Sequence, residues 1–132
     1  MRLSLGSLLL VVYGFYSYPA VADGNYLLQR CQAAVAFSQQ PEKFKRKADM
    51  AYCLGLLQGV RETNRLYENK LKSGAYFCLK GKHLGHSETA QLVVDYLQSH
   101  PEQLFQNESI LAVQALRQAY PCKKELSAPA NG

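Results

Sequence analysis

The sequence offers little to a β-sheet. It has no stretch of alternating apolar and polar residues of strand length, and no Asn-Gly turn joining two such stretches, so hairpin-based folds are not indicated. The motifs of common catalysis are missing too: there is no G-x-S-x-G, no H-E-x-x-H and no glycine-rich phosphate loop. Histidine is scarce, at three residues, so any imidazole chemistry would have to use His83, His86 or His100. Beyond the N-terminus no apolar run is long enough to span a bilayer. Lysines and arginines are scattered and do not interleave with aromatics, which argues against a nucleic-acid stacking platform. The one dense basic run, residues 43–47 (KFKRK), reads as a solvated loop. The formal charge of +5 then bears on solubility and not on partner class.

What is present begins with a leader. Arg2, an apolar stretch from Leu8 to Tyr16 and the small-residue motif Ala20-Val21-Ala22 form the three parts of a secretory signal peptide. Residues 1–22 are therefore read as a signal peptide cleaved after Ala22, residues 23–122 as one small helical domain and residues 123–132 as a polar tail. No cysteine follows the cleavage site, which argues against a lipid anchor. After cleavage nothing holds the chain to a membrane.

Four cysteines, Cys31, Cys53, Cys78 and Cys122, all lie in the exported part. An even count in an exported chain points to disulfides. Helical periodicity supplies the frame that pairs them. Residues 25–40 form a first helix. From Lys47 to Leu71 the steps of three and four through Met50, Cys53, Leu57, Val60, Asn64, Tyr67 and Leu71 mark one buried stripe of a long second helix. Asn64 is its polar member and reads as a satisfied core amide. Residues 72–86 carry three glycines and no period, so they form a loop, with Gly74 as the helix stop. Ser87 reads as the N-cap of a third helix, with Glu88 in its first turn and Leu92, Val93, Tyr96 and Leu97 on its apolar face. A fourth helix starts near Pro101, turns Leu104, Phe105, Leu111, Ala112, Ala115 and Leu116 inward, and ends at Tyr120. The fold class is all-α: a small, disulfide-bonded bundle of about four helices. Cys31 and Cys53 lie at matched distances from the first helix connection, and Cys78 and Cys122 at the open ends of the second hairpin. The expected bridges are Cys31–Cys53 and Cys78–Cys122.

The long helix keeps two glycines, Gly55 and Gly59, one turn apart, each costing about 1 kcal/mol against alanine in a helix interior. They are read as a groove permitting close helix approach within the bundle or, failing that, against a second subunit. Arg61 and Glu62 follow at once, so a membrane dimerisation stripe is not the explanation. Cys78, His83 and His86 lie near one another in sequence, but their spacing is loose, a fourth metal ligand is absent, and a bridged Cys78 has no thiolate. No catalytic residue, metal or cofactor is assigned.

The segments GNYLLQRC (24–31), YCLGLLQGV (52–60), VVDYLQSHPEQL (93–104) and ALRQAYPC (115–122), in this order and with the four cysteines, resemble the Rap/Tai family of resistance-associated proteins and type VI amidase immunity proteins. The resemblance runs from Gly24 to Cys122. It implies a small, helical, disulfide-bonded periplasmic protein, often a homodimer, that is not an enzyme. It further implies a protein partner, a type VI-delivered peptidoglycan amidase whose active-site cleft is occluded. A cleft admits loops more readily than helix faces. The inserting element is therefore expected at residues 79–86, with Lys80, Lys82, His83 and His86 as partner-binding candidates, and Ser99–Gln103 second. Two other readings are an enzyme or metal protein built on Cys78, His83 and His86, and a stand-alone periplasmic binding protein of acid-stress chaperone type, which would expose apolar surface at low pH.

The leader generates the first prediction. The intact mass of the exported protein should correspond to a chain starting at Asp23; recovery of a form retaining Met1 would contradict the assignment.

Overall fold

The computed structural model describes residues 22–71 and 74–123, the side chains at 70 and 71 excepted. The leader, most of the polar tail and the Leu71 side chain of the buried stripe lie outside the described residues. Four α-helices make up the frame: α1 (Gly24–Gln39), α2 (Lys47–Leu66), α3 (His86–Ser99) and α4 (Glu108–Ala119). Helix α1 packs along both α2 and α3, and α3 along α4. Among the described residues no strand forms, and no helix is long and apolar enough to cross a membrane.

Each helix buries most of the stripe that its sequence period sets out; on the α2 stripe Tyr67, past the end of α2 in a π-turn, stands exposed instead. Leu27, Cys31 and Ala34 of α1 meet Cys53 and Leu57 of α2, Val93 and Leu97 of α3, and Leu111, Ala112 and Ala115 of α4 in one core. Fully burying a side chain of this kind contributes about 1.5–3 kcal/mol. The cysteines pair as the spacing implies, Cys31 with Cys53 and Cys78 with Cys122. By chain entropy the bridges contribute roughly 3–4 kcal/mol each.

Two helix starts differ from the sequence reading. Helix α3 is capped at Gly85 and not at Ser87. The Glu88 carboxylate accepts the Gly85 N–H at 3.4 Å, and the Thr89 hydroxyl donates to the Gly85 carbonyl at 2.7 Å, so two side chains fix the cap two residues early. Helix α4 does not begin at Pro101. That proline opens a short 3-10 turn, Pro101–Gln103, and α4 starts after Asn107, whose side-chain oxygen accepts the Ser109 N–H at 2.9 Å. The reason is the chain's own N-terminal segment. Gly24 N–H donates to the carbonyls of Leu104 (2.9 Å) and Gln106 (3.1 Å), contacts that a chain starting at Asp23 keeps. With the Leu104 and Gln106 carbonyls directed at this Gly24 strap, the backbone from 104 to 107 is held in a turn and α4 winds only after it. Phe105, expected on the inner side, stands 78% exposed as a result.

The strap also shows which glycine needs to be small. A Cβ at Gly24 would collide with the Leu111 side chain and come within 2.9 Å of the Leu104 Cα and carbonyl oxygen. At Gly55 and Gly59 a Cβ would meet nothing within 4 Å among the described residues. Close approach within the bundle is therefore not what these two glycines permit. They lie on the outer edge of α2, turned away from the stripe of Cys53, Leu57 and Asn64.

Opposite outcomes follow. Gly24→Ala should destabilise by about 1–3 kcal/mol through overpacking, while Gly55→Ala and Gly59→Ala should each stabilise by up to about 1 kcal/mol through helix propensity. Chemical denaturation measures all three. A neutral Gly24→Ala, or a destabilising Gly55→Ala in the monomer, would contradict this account of the packing.

Candidate functional site

The loop that joins α2 to α3 is held, over its described residues, from several directions. Asn64, buried on α2, reaches across to it. Its Nδ2 donates to the Phe77 carbonyl at 2.6 Å, and its Oδ1 accepts the N–H of Tyr76 at 2.9 Å and of Phe77 at 3.3 Å. The expectation of a satisfied core amide is met, and the amide's partner is the loop backbone. Phe77 then inserts fully into a small second core with Leu79, Leu84 and Leu116. Between these anchors Cys78 is bridged to Cys122 and donates its N–H to the Tyr120 carbonyl at 2.9 Å.

A loop with Phe77, Leu79 and Leu84 pointing inward must turn the residues between them outward. Lys80, Gly81, Lys82 and His83 are all exposed. The Lys82 N–H donates to the Leu79 carbonyl at 2.8 Å and closes a turn, and Gly81 takes φ +75°, a left-handed conformation that costs glycine little. The Lys82 ammonium lies 4.7 Å from the centroid of the Tyr120 ring, within cation–π range. Lys80, Lys82 and His83 edge a recess of about 350 Å³ together with Arg65 and Glu68 from the end of α2. His86 does not join them: it is exposed in the first turn of α3. The structure thus brings three of the four candidate side chains together and adds Arg65 and Glu68. Glu68 lies four residues after Asn64, on the same side of a helix; that spacing is the signal by which the sequence could have shown it.

The second candidate segment, Ser99–Gln103, is folded down onto the bundle. The His100 ring stacks on Tyr96 at 4.2 Å, and the Tyr96 hydroxyl lies within hydrogen-bond distance of the side-chain oxygens of Gln103 (3.1 Å) and Gln114 (3.2 Å). Burial, with a smaller contribution from Glu102, raises the Tyr96 phenol above its ordinary range. Ser99, Pro101 and Glu102 of this segment are exposed, while His100 and Gln103 are half-buried.

Two further features mark the surface. Gly55 and Gly59 form the open side of an apolar groove of about 370 Å³, bounded by Leu56, Val60, Tyr76 and, from α4, Val113. At the far end of α2, Tyr52 donates to Glu108 at 2.5 Å, stacks edge-on to Tyr26 at 5.2 Å, and lies beneath Arg30, whose guanidinium covers the Tyr26 ring at 3.1 Å. The hydrogen bond to Glu108, then burial, pushes the Tyr52 phenol up to about 12. This cluster ties α1, α2 and α4 together.

None of these arrangements places a nucleophile beside a base. Cys78 is locked in a bridge, and among the described residues no three His, Cys, Asp or Glu side chains gather as metal ligands. What the loop can do chemically is present cations on a stiff turn beside a recess, which suits recognition of a protein surface. A family model described as Rap1a immunity proteins matches residues 23–122. No curated protein and no solved structure matches the chain.

Proposed function

The chain belongs to the family of Rap1a immunity proteins, and we propose that it protects the periplasm by seating its 79–86 loop in the active-site cleft of a type VI-delivered peptidoglycan amidase. The observation that supports this reading is the loop itself. It is exposed at Lys80, Lys82 and His83, yet anchored on both sides by buried Phe77, Leu79 and Leu84. A loop already ordered in the free protein loses little further conformational entropy on binding. Two disulfides fit an oxidising compartment. Inhibition is steric on this reading and needs no chemistry from the chain.

The apolar groove at Gly55 and Gly59 supports a homodimer as a second association. Exposed helical glycines carry a propensity cost with no packing return inside the monomer, and a partner helix laid in the groove would supply one. Sedimentation equilibrium of the purified protein decides it: a monomer at all concentrations leaves the groove without this role.

The functional reading is tested by titrating the disulfide-bonded protein into peptidoglycan hydrolysis by type VI amidases, beginning with any amidase encoded beside it. Stoichiometric inhibition is expected, weakened at least about tenfold, or 1.4 kcal/mol, by the double charge reversal Lys80→Glu with Lys82→Glu, at an unchanged melting temperature. Inhibition indifferent to the reversal would move the contact to another face, and failure to inhibit any amidase would overturn the reading.

A further inference from the structure

The shape of the loop is set by a residue that does not face a partner. Helix α2 does not end in a regular turn; Tyr67–Leu71 wind as a π-helix, a wider turn frequent at functional sites. Glu68, in this segment, points its carboxylate at the loop backbone. One oxygen accepts the Leu79 N–H at 3.1 Å and the other the Lys80 N–H at 2.9 Å. These are charge-assisted hydrogen bonds, stronger than neutral ones, and they fall on the two residues that begin the turn closed by Lys82 N–H on the Leu79 carbonyl.

The same contact shapes the charge of the surface. Of the residues lining the recess, Arg65, Lys80 and Lys82 are cationic and Glu68 is the acidic one. With both its oxygens on backbone amides, Glu68 is turned to the loop's main chain and not to the lysine side chains beside it. Arg65 is 3.3 Å from Glu62, an exposed pair of little strength. The basic side chains therefore stand at the surface on a backbone that the carboxylate holds in place.

We propose that Glu68 is the positioning residue of the partner-binding loop. It latches the amides of Leu79 and Lys80 and so fixes where Lys80 and Lys82 stand before the partner arrives. This rests on the loop-in-cleft reading above. Without the latch the two N–H groups turn to water, the turn samples other shapes, and binding must order it again. A carboxylate is suited to the task because it accepts from two adjacent amides at once; glutamine keeps a single acceptor oxygen.

The experiment compares wild type, Glu68→Ala and Glu68→Gln as full, disulfide-bonded proteins, with two readouts. Amide hydrogen exchange at Leu79 and Lys80 needs no partner; inhibition of the amidase reports function. In Glu68→Ala, exchange at both amides should quicken roughly tenfold or more, and inhibition should weaken about tenfold, while helical circular dichroism is kept. Glu68→Gln should recover part of both, a graded rescue that a general loss of stability would not give, and it carries the test if the alanine variant does not fold. Unchanged exchange in the variants would overturn the latch. Faster exchange with full inhibition would overturn its role in positioning while leaving amidase inhibition standing. Failure of the wild type to inhibit any amidase would remove the functional reading and this proposal with it.

Discussion

The Asn64 side chain makes the contact on which the exposed half of this protein depends. It sits at 4% exposure on a helix stripe otherwise made of apolar residues and bonds three backbone groups of a neighbouring loop. An amide buried without partners would cost about 1–3 kcal/mol, so the side chain and the loop backbone need one another. Tyr76 and Phe77 have no regular secondary structure in which to place their N–H groups, and Asn64 takes that place. Once they are held, Phe77 falls into the second core and Cys78 is brought to Cys122. The chain then emerges at Lys80 with its direction set. On the proposed function, a loop held in this way pays less ordering cost at binding than one on a flexible tether.

The rest of the bundle supplies rigidity at the other end by different means. The Cys31–Cys53 bridge and the α1 stripe hold α1 to α2, and the Gly24 strap holds the start of α1 to the segment before α4. Tyr52, Tyr26, Arg30 and Glu108 close the same end with a hydrogen bond, an edge-on ring pair and a guanidinium over a ring. A domain of this size gains only a modest core, so the bridges and these polar anchors carry a larger share of its order than they would in a bigger protein. This division leaves the outward side chains of the α2–α3 loop, Lys80, Lys82 and His83, and the glycine groove free at the surface.

Much of the frame was legible in the sequence because it rests on local signals. The period of three and four from Met50 to Asn64 predicted α2, and the distances of the cysteines from the helix connections predicted both pairings, since antiparallel neighbours place such positions opposite one another. Misreadings occurred where a distant backbone decided the matter. Phe105 looked like the inner face of α4 because Pro101 looked like its start; the strap from Gly24 takes the carbonyls of Leu104 and Gln106 and delays the helix to Asn107. Gly55 and Gly59 read as tight packing because their spacing suits it, yet the glycine under pressure is Gly24, which no periodic signal marks. Of the loop, Lys80, Lys82 and His83 could be named from charge and position. Glu68 was missed: its spacing from Asn64 puts it on the same side of a helix, but the π-turn that aims it at the loop backbone leaves no mark in the sequence.

The central claim is that the α2–α3 loop is part of the folded core and is not a mobile appendage. Native-state hydrogen exchange across a denaturant series, resolved at the Tyr76 and Phe77 amides of the wild-type protein, tests it most directly. The account predicts that these amides exchange only with global unfolding, at the same free energy and denaturant slope as core amides of α1 and α2. Exchange through local opening, at low free energy and insensitive to denaturant, would contradict it.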